Sequence, residues 1–154
     1  MSSPRTAAAA PPPAPAPMIG VLLRLPHEVV VARMLEAVNA GGFDLTHAEL
    51  GVFLYPGPDG RRPSDLARQC GTTRQAMNYV LGELEARGYV ERRSERESAA
   101  RRVRLTRRGR AVIAAMRACL AGIEREWTDL LGARRFEALR ATLRDLARHL
   151  GKLD

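Results

Sequence analysis

Apolar residues recur every three or four positions along most of this chain and alternate over one short stretch. After Pro26, Val30, Met34, Ala37 and Val38 mark one face of a helix that ends at Gly41-Gly42. A second helix starts at Thr46, where Glu49 three residues on completes a capping box. It carries Leu50, Phe53 and Leu54 and stops at the turn-rich run Pro56-Gly57-Pro58-Asp59-Gly60. A third begins at Ser64, buries Leu66 and Ala67 with Cys70 at its edge, and ends at Gly71. A fourth begins at Thr72, with Gln75 closing another capping box, and runs to Arg87. Gly88 follows as its C′ residue. The runs Tyr89–Arg93 and Arg102–Thr106 alternate instead. They predict a hairpin with a long polar tip and with Val90, Val103 and Leu105 facing inward.

The C-terminal third reads as two long helices separated by Gly132. Ile113, Met116, Leu120, Ile123, Trp127 and Leu130 form the seam of the first. Phe136, Leu139, Leu143, Leu146 and Leu150 form that of the second. A helical hairpin buries such seams only partly against itself, so the remainder predicts a second chain as partner. Ile123, Trp127, Leu130, Phe136, Leu139, Leu143, Leu146 and Leu150 are the expected dimer contacts. The first 17 residues are Ala/Pro low complexity and predict a disordered or polyproline-like tail. Their prolines break any apolar core of a signal peptide. No apolar run approaches the roughly 18 residues of a membrane-spanning helix.

Charge is unevenly placed. Residues 61–110 hold 14 of the 25 basic and 6 of the 17 acidic residues, a net +8, so the rest of the chain is neutral. Such a localised excess is the footprint expected for binding a polyanion. Ser64 to Arg87 reads helix, tight turn, helix, the pattern in which the second helix enters the major groove. On that helix Met77, Val80, Leu81 and Leu84 form the buried stripe. Thr73, Arg74, Gln75, Asn78 and Tyr79 project elsewhere. Arginine bonds guanine bidentately, and glutamine or asparagine bonds adenine. Ser64, Thr72 and the helix N-terminus suit phosphate. Directly afterwards, Arg92, Arg93, Arg96, Arg101, Arg102 and Arg104 crowd the hairpin, and alternation predicts several of them on one face. The expected DNA contacts are therefore Ser64, Thr72, Thr73, Arg74, Gln75, Asn78, Tyr79, Arg93, Arg96, Arg101 and Arg102.

Residues 64–106 resemble the winged helix-turn-helix of MarR-type bacterial regulators. The SDLA opening, the LEARGYVERR end of the recognition helix and the VRLT-x-x-G exit carry the resemblance, which extends more weakly over residues 19–150. It implies a mainly α fold with a small β-hairpin wing (an α+β winged helix-turn-helix) and dimerisation helices at both ends. The divisions expected are a tail at 1–17, an N-terminal dimerisation helix at 18–45, a DNA-binding domain at 46–106 and C-terminal dimerisation helices at 107–154. The implied protein is a cytoplasmic homodimeric regulator, usually a repressor. It binds double-stranded DNA and is often released by a small aromatic or lipophilic effector. Members usually carry Asp-x-Arg at the wing tip, the arginine entering the minor groove. Here Glu97-Ser98-Ala99 stands there, leaving Arg96 or Arg101 as substitutes. A PadR-like regulator with a different dimer arm, and a winged helix serving only as a protein-interaction module, remain open alternatives.

Nothing predicts catalysis. There is no P-loop or GxGxxG. His27, His47 and His149 lie far apart, and no serine has a recognisable base partner. No cofactor or metal is expected. Cys70 and Cys119 read as buried structural thiols. Phe53, Tyr55 and Trp127 are aromatic candidates for an effector pocket, though core packing is the commoner role for such residues.

Overall fold

The computed structural model describes residues 16–95 and 98–153. The expected tail at 1–17 falls largely outside them, as do Arg96 and Glu97. The elements run α1 (Ile19–Ala40), α2 (His47–Phe53), α3 (Pro63–Gln69), α4 (Arg74–Ala86), β1 (Val90–Glu95), β2 (Ser98–Leu105), α5 (Arg107–Leu131) and α6 (Ala133–His149). This is a winged helix flanked by long helices, as expected. Among the described residues no helix is long and apolar enough to cross a membrane.

α1 starts seven residues before Pro26 and not after it. Proline removes one i→i−4 bond and crowds the preceding turn, which is why it reads as a helix start. Here the helix has already closed its first turn before the proline, the Val21 and Leu22 amides donating to the Met18 carbonyl at 2.9 and 3.2 Å, and it runs on through Pro26. The buried stripe of α1 is Val31, Met34 and Val38, with Val30 at its edge. α2 begins as predicted, with the Thr46–Glu49 capping box formed in both directions.

Each helix of the helix-turn-helix differs from expectation by one or two residues. α3 opens on Pro63 at its first turn, where the missing N–H costs nothing. α4 is capped by Thr73, whose hydroxyl accepts from the Ala76 amide at 3.1 Å. The predicted Thr72–Gln75 box does not form. Thr72 is spent on the turn, where its amide donates to the Ala67 carbonyl at 2.9 Å, beside Gly71 at φ 61°.

The core joins α1, α2, the helix-turn-helix, the hairpin and the start of α5. Tyr89 sits fully buried at its centre. Its hydroxyl donates to the Phe43 carbonyl, its ring meets Phe53 edge-on, and the Arg87 and Arg108 guanidinium groups lie 5.5 and 4.5 Å from its centroid. Arg87 also pairs with Glu49, the one charged residue buried in the core among those described. Thr106 caps α5 and binds the Gly88 and Tyr89 carbonyls, at 2.7 and 2.9 Å. Gly109 then passes so close to Tyr89 that a Cβ there would lie 2.1 Å from the Tyr89 carbonyl oxygen. The glycine of the VRLT-x-x-G run is thus a packing requirement.

The hairpin is longer, and its tip shorter, than predicted. Backbone pairing continues past Arg93 to Ser94↔Arg101 and Glu95↔Ser98, with an irregularity between the two. The small residues Ser98 to Ala100, which read as tip, are part of β2. On the far edge of β2 the Gly60 amide donates to the Val103 carbonyl and the Val103 amide to the Arg61 carbonyl, at 2.8 and 2.9 Å.

α5 packs on α1, where Arg33 grips Glu126 with two bonds of 2.6 and 2.7 Å. α6 folds back from Gly132. Of the predicted seam, Ile123 and Phe136 are already buried within the single chain. Trp127 is half-buried. Leu130, Leu139, Leu143, Leu146 and Leu150 are exposed, as are Ile19, Leu22, Leu23, Leu25 and Val29 on α1.

Candidate nucleic-acid interface

α4 buries Met77, Leu81 and Leu84. A 3.6-residue period then turns Arg74, Gln75, Asn78 and Tyr79 outward, and all four are exposed, Tyr79 by 71%. Thr72 and Thr73 are exposed at the N-terminal end, with the Thr73 hydroxyl already serving as cap.

Asn78 lines a shallow depression that also contains Arg62, Pro63 and Ser64 of the α3 entry and Arg92 and Arg101 of the wing. Three predicted residues, Ser64, Asn78 and Arg101, are thus brought together from three elements. Arg62 and Arg92 join them without having been predicted as contacts. Arg62 is the exposed N-cap of α3, and proximity to Ser64 in sequence was its only signal.

Among the described residues, three wing arginines share one face as expected, Arg93, Arg102 and Arg104, while Arg92 and Arg101 lie on the other. Directly opposed residues of an antiparallel pair lie on the same side. The register therefore puts Val90, Arg92 and Ser94 with Leu105, Val103 and Arg101, and puts Glu91 and Arg93 with Arg104 and Arg102. Only the first side meets α4. Arg93, on the second, is exposed and paired with Glu91 at 2.9 Å. Arg102 is half-buried and donates to the Gly60 carbonyl at 2.8 Å, so it ties the wing to the loop before α3. Of the two candidates for the minor groove, Arg101 is exposed on the α4 side, while Arg96 lies outside the described residues.

Glu85 is a feature of this surface that the sequence reading missed, since it looked like one of six acids in a basic window. It stands seven residues beyond Asn78, two turns along the same stripe of α4. Its Oε1 accepts from the Arg92 backbone amide at 2.8 Å. Its Oε2 accepts from Arg92 Nε and Nη2 at 2.9 and 2.7 Å. Partial burial pushes the Glu85 carboxyl up. The Arg92 bonds, with the charges of Arg92 and Arg101, outweigh that and hold it below the usual carboxylate range.

Two cavities flank α2, and the first reaches Gly71 and Thr72 at the corner of the helix-turn-helix. One, of about 570 Å³, runs from α1 to the back of the helix-turn-helix and is lined by His27, Val31, His47, Cys70, Met77 and Val80 among others. The second, of about 560 Å³, lies between α1, α2 and α5 and includes Met34, Phe53, Met116 and Arg117. His27, Leu54 and Tyr55 line both. Tyr55 and Phe53 thus border open space, while Trp127 lines neither. Burial pushes the Cys70 thiol up, away from the reactive thiolate. Among the described residues no three His, Cys, Asp or Glu stand close enough to hold a metal ion.

Residues 42–102 match the family model of the MarR family. No curated protein matches the chain. Among solved structures, the chain is similar to the MarR family protein Rv2887 of Mycobacterium tuberculosis in complex with p-aminosalicylic acid. The identity is 29%, the TM-score 0.63, and 86% of this chain and 99% of that one are covered. A complex of Rv2887 with salicylic acid gives 28%, 0.62, 85% and 97%. The transcriptional repressor CouR, bound to a 23-mer DNA duplex, gives 26%, 0.62, 84% and 92%.

Proposed function

We propose that this chain is a MarR-type, sequence-specific DNA-binding transcription regulator, acting as a homodimeric repressor in the bacterial cytoplasm; the match of residues 42–102 to the MarR family model supports the reading. The carrying observation is the exposed side of α4, with Arg74, Gln75, Asn78 and Tyr79 turned outward beside a depression lined by Arg62 and Arg101. α4 reads base edges in the major groove. The α3 entry and Arg93 hold phosphates, and Arg101 reaches the adjacent minor groove in the place of the arginine missing at Ala99.

The exposed leucines of α6 and the exposed apolar residues at the start of α1 supply the dimer surface, and a two-fold dimer reads a pseudo-palindrome with half-sites about one helical turn apart. A small aromatic or lipophilic effector suits the cavities flanking α2, whose walls include the back of α4. Support comes from the CouR–DNA complex and the salicylate complexes of Rv2887.

The test is selection of bound sequences from a random duplex pool, followed by salt titration on the winner. With about 6–10 phosphate contacts per dimer, affinity falls about 10³–10⁵-fold between 50 and 200 mM salt. Recovery of no sequence preference, or a flat salt response, refutes the reading.

A further inference from the structure

A carboxylate on a DNA-facing surface is costly, because the duplex is a dense line of negative charge. Yet Glu85 sits on the stripe of α4 that carries Asn78, and all three of its hydrogen bonds go to Arg92, on the wall of the depression shared with Arg62 and Arg101. The bracket spans from the last turn of the recognition helix to the first strand of the wing. It ties the two elements together and sets a carboxylate charge directly against one arginine of the depression.

We propose that Glu85 is a specificity-determining residue that suppresses binding to DNA of arbitrary sequence. It keeps Arg92 on the protein, so that duplexes which α4 cannot read gain nothing from this arginine. Specificity is a difference of affinities, and weakening the wrong complex serves it as well as strengthening the right one. The proposal rests on the regulator reading above and adds a residue to it whose charge works against affinity.

Glu85→Gln keeps the shape and removes the charge. It is expected to tighten binding to a random-sequence duplex about tenfold at 0.1 M salt and to steepen the salt slope by about one per engaged chain, the signature of one more phosphate contact. Affinity for the selected site rises less, so the ratio of the two falls. Glu85→Ala repeats the measurement should the glutamine variant be insoluble. Adding Arg92→Gln to either variant removes the gain. If Glu85 only braced the fold, both duplexes would bind more weakly and the salt slope would not steepen, which overturns the proposal. Unchanged affinity for random duplex in both variants overturns it too, as does a gain that survives Arg92→Gln. If the wild-type chain shows no salt-dependent duplex binding, the regulator reading falls and this proposal with it. If the wild type binds and the variants bring no gain, the role of Glu85 alone falls.

Discussion

Gly109→Ala puts one methyl group where the wing leaves α4 and enters α5. The added Cβ would stand 2.1 Å from the Tyr89 carbonyl oxygen and 2.9 Å from Leu105 Cδ2, against the 3.0 Å that real Cβ atoms keep. The leucine can rotate, but the oxygen belongs to the backbone and already accepts from the Thr106 hydroxyl and amide. Relief therefore means prising the first turn of α5 away from the strand. Overpacking of this kind costs about 1–3 kcal/mol and more where backbone must move. Alanine returns up to about 1 kcal/mol through its better helix propensity. A net loss of about 2–3 kcal/mol lowers the unfolding midpoint by about 4–12 °C in a chain of this size. Gly122→Ala, also within α5 and with nothing nearer than 3.9 Å, isolates the propensity term and should stabilise by about 0.5–1 kcal/mol. Thermal and urea unfolding of both variants measure the contrast. A Gly109→Ala protein as stable as the wild type would refute the close approach and the packing of wing on α5 that depends on it.

Arg74→Ala and Asn78→Ala should each cost about 1–3 kcal/mol on the selected DNA site and relax its sequence preference; competition with single-base variants of the site reads this out. Thr73→Ala removes the α4 cap and about 1 kcal/mol of stability, whereas Thr72→Ala, whose turn bond is made by the backbone, costs less; equal losses in urea would refute the capping assignment. Leu143→Glu, on the exposed face of α6, should give monomers by light scattering where the wild type is a dimer, and a monomeric wild type would remove the dimer surface. The depressed Glu85 carboxyl adds stability that is complete above the unfolded value near pH ~4.3 and is lost as pH falls through the lower folded value; Glu85→Gln should flatten that part of an acid unfolding curve.

Local signals were legible wherever one residue decides an element's edge. The Thr46–Glu49 box, the glycine at position 88 and the alternation of Val90, Val103 and Leu105 all read correctly. Two adjacent threonines at 72 and 73 offer the same chemistry, and only the tertiary turn decides which one caps. Pro26 reads as a start because propensity rules concern a single bond, while α1 spans 22 residues. The faces of the wing depend on cross-strand register, which pairing past Arg93 sets. Arg102 and Arg92 look alike as letters, and only the register sends one to Gly60 and the other to Glu85. Tyr89 and Gly109 meet across a contact between elements, where sequence shows no sign.

The pairing of Gly60 and Arg61 along the free edge of β2 has a mechanical consequence. The wing is fastened on one edge to the loop entering α3, and through Arg92 and Glu85 to the end of α4. These ties couple the wing to the recognition helix. On the regulator reading proposed above, the two would travel as one rigid jaw, and a two-fold dimer would work as a pair of calipers. A compound lodged between α1 and the helix-turn-helix would then have no need to deform either reading surface. It would reset the gap between the jaws, and a gap that no longer matched one turn of the duplex would let both half-sites go together.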